Sequence, residues 1–174
     1  MVILHGSGFV LRPYQKGDET SIAKHINDPD IARNTAAIPY PYTLEMAREW
    51  IAKCQRNALK KPLEDLVFAI VVDRFVVGAI GLHHIEAKHK CELGYWLGRA
   101  YWGRGIVTAA VRLVTDYAFE RLHLRRVCAK VFPYNPASMR VLEKAGFTLE
   151  GIMKKSHKKD GKLLDEHLYA KCAN

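Results

Sequence analysis

The segment Gly94-Tyr95-Trp96-Leu97-Gly98-Arg99-Ala100-Tyr101-Trp102-Gly103-Arg104-Gly105-Ile106-Val107-Thr108 carries the residues best placed to do chemistry. An apolar strand runs into a short loop with two close glycines, and a helix begins at once. The first amides of such a helix have no intrahelical partner and sit at the positive end of its dipole, so the loop reads as an anion site. Glycine at 103 and 105 lets the backbone approach a phosphate with no Cβ in between, while Arg99 and Arg104 are placed to add charge-assisted contacts. A plain tight turn is the competing reading of a bare G-x-G. Two familiar phosphate loops do not fit. The P-loop needs Lys-Ser/Thr after its glycines, and the dinucleotide fingerprint needs Gly or Ala where Thr108 stands, inside a parallel βαβ unit.

The remainder of the chain has to position that loop. Its 174 residues suit one domain, 1–174, with a core of its own. Apolar residues at 49% and charged residues at 26% exclude disordered and collagen-like classes. No apolar run approaches the ~20 residues of a membrane span, and the start lacks a signal-like stretch, so a cytoplasmic protein without a membrane partner is expected. Cys54, Cys91, Cys128 and Cys172 lie far apart with no C-x-x-C, which fits reduced thiols. Against 18 Asp and Glu stand 27 Lys and Arg, and the net charge of +9 favours anionic partners without naming them.

Along the chain, Phe9 to Arg12 reads as a strand that ends at Pro13. A helix from Asp18, its N-cap, to about Asn27 is closed by Asp28-Pro29, and a second is capped by Thr43 with Leu44, Ala47, Ile51, Cys54 and Ala58 at helical spacing. The period then changes. Leu66 to Val72 and Phe75 to Leu82 form a hairpin across Asp73-Arg74, and Cys91 to Leu97 is the next strand. Gly105 to Arg121 is a long amphipathic helix with Ile106, Ala110, Leu113, Tyr117 and Arg121 on one stripe. Arg126 to Phe132 is a strand, Asn135-Pro136 starts a helix that ends at Gly146, and Phe147 to His157 pairs with Leu163 to Cys172 across Asp160-Gly161. The expected class is α+β: a mixed, mostly antiparallel sheet of about seven strands with about four helices, and not a doubly wound fold.

A second motif lies about 30 residues after the glycine loop: Val131-Phe132-Pro133-Tyr134-Asn135-Pro136-Ala137-Ser138, followed by a helix and a Gly146-Phe147 exit. With Trp102-Gly103-Arg104-Gly105 and Glu92-Leu93-Gly94-Tyr95-Trp96-Leu97 it resembles the GCN5-related N-acetyltransferase (GNAT) superfamily, and most of all its RimJ/RimL-like ribosomal-protein N-terminal acetyltransferase branch. The resemblance extends from the Leu11-Arg12-Pro13 start to the Asp165 to Tyr169 strand. It implies the GNAT fold, with strands splayed at a cleft for acetyl-CoA. The pyrophosphate would lie on the amides of Trp102, Gly103, Arg104, Gly105, Ile106 and Val107, and the pantetheine arm between the strands of Trp96 and Val131. Within Trp96, Leu97 and Gly98 a backbone amide would meet the thioester carbonyl. Where the superfamily has Gln or Arg before the loop this chain has Ala100, with Arg99 one place off. Asn135 matches a cofactor-contacting Asn, and serves equally as a helix cap. Ser138 matches a serine that assists the leaving sulfur, its other reading being a first-turn hydroxyl that satisfies backbone; the tyrosine of other branches is replaced by Leu142.

Acetyl transfer to an amine needs a neutral nucleophile, a polarised carbonyl and a proton for the thiolate. Glu92, at the head of the central strand, is the first candidate base. His157 comes second: it stands about where related enzymes carry a carboxylate, and an imidazole titrates near neutrality. Both also read as ordinary solvated strand residues. His83, His84, His89 and Cys91 cluster without a closed ligand pattern, and adjacent His83 and His84 point to opposite sheet faces, so no metal is expected. Trp50, Trp96 and Trp102 read as core or cleft wall. Lys154, Lys155, Lys158, Lys159 and Lys162 surround the last turn, either as a solvated hairpin or as a basic rim beside the acceptor groove.

The expected activity is acetyl-CoA-dependent transfer to an amine acceptor, foremost a protein N-terminal α-amine, by direct attack in a ternary complex. Ribosome association would accompany it, and strand addition or hairpin exchange at the sheet edge offers a route to a homodimer. A small-amine acetyltransferase acting on a polyamine, amino acid or aminoglycoside is the alternative enzyme. A non-catalytic ribosome- or nucleic-acid-binding module is the alternative of another class. CoA carries about four negative charges near neutrality, so a basic surface is expected without nucleic acid.

Overall fold

The computed structural model describes residues 2–173. Its strands are β1 (Leu4–Gly6), β2 (Phe9–Arg12), β3 (Leu66–Val72), β4 (Phe75–Glu86), β5 (Lys90–Leu97), β6 (Arg126–Val131), β7 (Thr148–Lys159) and β8 (Lys162–Cys172). The helices are α1 (Glu19–Ile26), α2 (Pro29–Asn34), α3 (Leu44–Asn57), α4 (Ile106–Glu120) and α5 (Pro136–Lys144), with a 3-10 turn at Arg99–Tyr101. All eight strands form one sheet in the order β1-β2-β3-β4-β5-β6-β8-β7. Every neighbouring pair is antiparallel except β5 and β6, which are parallel because α4 carries the chain back across the sheet between them.

Two cores follow from the alternation of side chains along these strands. On one face, Phe68, Ile70, Val77, Ile80, Leu82 and Leu93 meet Val111, Val114 and Ala118 of α4 and Leu142 of α5. On the other, Ala69, Val76, Ala79 and Trp96 meet Ile22 and Ile26 of α1, Ile31 of α2 and Ala47 and Ile51 of α3. Each fully buried Leu or Ile contributes about 1.5–3 kcal/mol, so both helix layers are fastened by packing rather than by propensity.

The structure has one strand and one helix more than the sequence reading expects. Leu4–Gly6 pairs with Phe9–Arg12 through Ser7-Gly8, a hairpin whose first strand of three residues is too short to show a period. Asp28-Pro29 opens α2 instead of only closing α1: the Asp28 carboxylate accepts from Asp30 N and Ile31 N, with Pro29 at the first helical position. Asp18 does not cap α1. It is buried, and its two oxygens take Arg12 Nη1 and Nη2, each at 2.8 Å, while Oδ2 also accepts from Gln15 N. β4 runs on past Leu82 to Glu86. The buried stripe of α4 is rotated from the expected one, taking in Val111, Val114 and Ala118 and leaving Arg121 exposed.

Candidate active site

β5 and β6 are joined only at Lys90–Arg126, Cys91–Val127 and Glu92–Cys128. From Leu93 and Ala129 onward no ladder bond joins them, and a cleft of about 1600 Å³ opens there. Trp96, Leu97, Val131 and Phe132 line it, so the expected splay lies between the two strands the sequence reading names. The Glu92 carboxylate and the Lys130 ammonium meet at 2.8 Å just where the strands part, clasping the closed end of the wedge.

At the open end the loop is wound tightly. Gly98 N donates to Val77 O, the 3-10 turn follows, and Trp102 Nε1 donates to Leu97 O at 2.7 Å, pinning the indole over the strand end. Gly103 and Gly105 have φ of 74° and 75°, the left-handed region, and a Cβ at either would meet no atom within 4 Å. No side chain caps α4, and its first backbone bond is Ala109 N to Gly105 O, so the amides of Ile106, Val107 and Thr108 are left for a ligand. Gly103, Gly105, Ile106, Val107 and Thr108 all line the cleft. This cradle suits an anionic group held by backbone. The two arginines expected to assist are turned elsewhere. Arg99 binds Asp30 of α2, stands 3.9 Å from Asp28, and lies over the Trp102 ring; Arg104 lies over Tyr101 and is not among the cleft-lining residues.

Across the cleft, Asn135 Oδ1 accepts from Ser138 N at 3.2 Å and caps α5, which fixes the amide plane and leaves its NH2 group without a partner among the described residues. Ser138 Oγ lies 2.7 Å from Tyr95 Oη, bridging the split between β5 and α5. Burial pushes the Tyr95 phenol up to about 12 against the opposing effect of that hydrogen bond, so it stays a neutral donor through the working range. Tyr95 had no role in the sequence reading; its alternation with Trp96, which faces the other core, is the signal that places it.

The face packed by α1 and α3 carries a row of ionisable groups. Cross-strand partners share a face, and the ladder joins His83 to Glu92, Glu92 to Cys128 and Lys130 to Leu168; Glu166 lies two residues from Leu168. His83 Nδ1 is 3.2 Å from Asp65. His83, His84, Glu92, Lys130 and Glu166 line the cleft. His157 does not: its ring packs edge-on against Phe132 and its Nδ1 stands 3.8 Å from Glu166 Oε1. Glu166 was missed by the sequence reading, although it sits between Leu164 and Leu168 on an inward-facing register.

The face of the cleft that carries these ionisable groups is roofed by α2 and the 35–39 segment. Arg99 holds the start of α2, and Lys159 Nζ donates to the carbonyls of Ala32, Arg33 and Thr35 at its end. Of the five hairpin lysines, Lys159 is thus built into the fold and Lys154 pairs with Asp165 at 2.8 Å. Lys155, Lys158 and Lys162 are exposed and enter no ion pair among the described residues.

Comparison with known proteins agrees with this geometry. The profile of the acetyltransferase (GNAT) domain matches residues 9–148. A probable N-acetyltransferase, YjcK, of Bacillus subtilis (strain 168) is 37% identical over 175 residues, covering 97% of this chain and 96% of that one. A ribosomal-protein-serine acetyltransferase of Escherichia coli (strain K12) is 32% identical over 106 residues, covering 60% and 59%. The solved structure of RimL, a ribosomal L7/L12 alpha-N-protein acetyltransferase in complex with coenzyme A, superposes with a TM-score of 0.85 at 22% identity, covering 96% of this chain and 95% of that one. The splayed parallel pair, the uncapped helix start and the domain match together make this chain a member of the GNAT family of N-acetyltransferases.

Proposed function

We propose that the chain transfers the acetyl group of acetyl-CoA to the α-amine of a protein N-terminus, in a ternary complex and by direct attack. The observation that carries this is the wedge between β5 and β6, with free helix amides at one end and carboxylates at the other. Acetyl-CoA supplies the acetyl group as an activated thioester. The amides from Gly103 to Thr108 hold its pyrophosphate, Asn135 donates its NH2 group to the arm, and the edge of Leu93 to Leu97 that faces away from β4, left open by β6, lies along it. A β5 amide at Trp96 or Leu97 polarises the carbonyl, the Gly98 amide being taken by Val77 O, and Ser138, backed by Tyr95, donates the proton that the sulfur needs on leaving.

The acceptor class follows from size and charge. A volume of about 1600 Å³ exceeds the ~300–1,000 Å³ of a typical small-ligand pocket, leaving room for a chain end beside the donor. Lys155, Lys158 and Lys162 offer an exposed basic rim to an acidic N-terminus or to ribosomal RNA, which fits cytoplasmic work on ribosomal proteins. A relative in the family is a ribosomal-protein-serine acetyltransferase. A second reading, transfer to a small cationic amine, draws on Asp65, Glu92 and Glu166 along the acceptor face. Release of CoA thiol is to be measured with N-terminal peptides, spermidine, free amino acids, an aminoglycoside and RNA. Peptides turned over with kcat/KM at least about tenfold above the small amines support the first reading. The reverse order sinks it, and RNA binding with no transfer to any amine would overturn both.

A further inference from the structure

Among the described residues the buried polar side chains are Asp18, Thr115 and Glu166. Asp18 is answered by Arg12, and Thr115 lies within α4. Glu166 is the one of the three that lines the cleft. Its carboxylate is 7% exposed as a residue, and its partner at hydrogen-bond distance is neutral: Ser156 Oγ donates to Oε2 at 2.7 Å. The charged or titratable groups that face it are His157 of β7, at 3.8 Å from Oε1, and Lys130 of β6, which is itself bound to Glu92 of β5. A buried carboxylate whose one hydrogen-bond partner is a neutral hydroxyl, with an imidazole no nearer than 3.8 Å, has an electrostatic need that an arriving ammonium fills.

We propose that Glu166 receives the acceptor ammonium and takes the proton that must leave before the nitrogen can attack. The inference rests on transfer to an amine, which membership of the family carries, and not on which amine is preferred. Glu92, the carboxylate the sequence puts first, lies on the same face but is neutralised by Lys130 at the clasp. The Lys130 ammonium is held above its usual range chiefly by its hydrogen bond to Glu92. The balance is simple. One ammonium proton passes to the Glu166 carboxylate, and the freed lone pair forms the C–N bond as the C–S bond breaks. The second nitrogen proton is lost to solvent, and the thiolate takes one from Ser138, which regains it from solvent through Tyr95. The proton on Glu166 leaves by way of His157, whose side chain is 26% exposed.

Glu166→Gln keeps the shape and an acceptor for the Ser156 hydroxyl. With the preferred amine of the panel, kcat/KM for the acceptor is expected to fall about 100-fold at pH 6.5. The deficit should shrink to less than about tenfold at pH 9.5, where more of the amine is already free. Acetyl-CoA affinity should stay within about twofold of wild type, since Glu166 is on the acceptor face. A loss of equal size at both pH values would mark a merely structural residue and overturn the proposal. So would retention of wild-type rate at pH 6.5, or a pH-dependent deficit found in Glu92→Gln and not in Glu166→Gln. If Glu166→Gln does not fold, Glu166→Asp, which keeps the charge but draws the carboxylate back by one methylene, should show the same pH-dependent deficit at roughly tenfold; its absence would count against Glu166. A panel in which small amines win defeats the peptide reading while leaving this comparison intact.

Discussion

Gly105 and Gly161 form a natural controlled pair. Both have φ of 75°, and at neither would a Cβ meet an atom within 4 Å. One begins α4 at the anion cradle and the other closes the β7–β8 turn. Alanine in the left-handed region costs roughly 1–2 kcal/mol, offset by the ~0.4–1 kcal/mol gained from a stiffer unfolded chain. Each Gly→Ala variant should therefore lose about 1 kcal/mol, or about 2–4 °C in Tm for a chain of this length. Affinity should separate them. Gly105 lines the cleft directly before the Ile106, Val107 and Thr108 amides, so a methyl there that costs one charge-assisted bond of ~1.5–3 kcal/mol should raise Kd roughly ten- to 100-fold. Titration calorimetry with acetyl-CoA and a thermal melt on both variants make the test. A Gly105→Ala protein that melts like Gly161→Ala yet binds acetyl-CoA as tightly as wild type would refute the backbone-cradle reasoning.

Ser138→Ala should lower kcat at least about tenfold with the acetyl-CoA KM unchanged, because Asn135 still caps α5 through the backbone of residue 138; steady-state kinetics with both substrates varied checks it. Lys159→Met removes the ammonium from the carbonyls of Ala32 and Arg33 in α2 and of Thr35 just after it, so the acceptor KM should rise several-fold while acetyl-CoA affinity, read by calorimetry, stays put. Asp18→Asn should cost about 3 kcal/mol in a urea titration and leave kinetics alone, since it breaks a buried bidentate pair away from the cleft. The Tyr95 phenol is raised in the fold, so its contribution is intact below its ordinary value of about 10 and is lost as pH climbs toward about 12. Tyr95→Phe should accordingly flatten stability over pH 10–12 relative to wild type, as followed by circular dichroism at fixed urea.

Much of the site was legible because it is local. The glycine loop and the helix after it, the Asn135 cap, and the strands of Trp96 and Val131 each lie within a few residues of their signal, and backbone geometry follows from such short spans. The mostly antiparallel pairing also followed from hairpin turns and one helical crossover, whereas the insertion of β8 between β6 and β7 is a long-range pairing with no local signal. Local signals misled where a side chain had a distant partner. Asp18 reads as a cap, yet Arg12 claims it. Arg99 reads as a phosphate ligand, yet α2 presents Asp30 to it.

Sequence alone thus determined most of the strands and helix starts and the glycine turn that opens α4, since torsional preference and alternation act over neighbouring residues. Tertiary structure decided the partners of each charge. Glu92 became half of a clasp, Lys159 a tie for α2, and Glu166 a buried carboxylate at the cleft, because ion pairing and desolvation depend on which strands and helices meet in space.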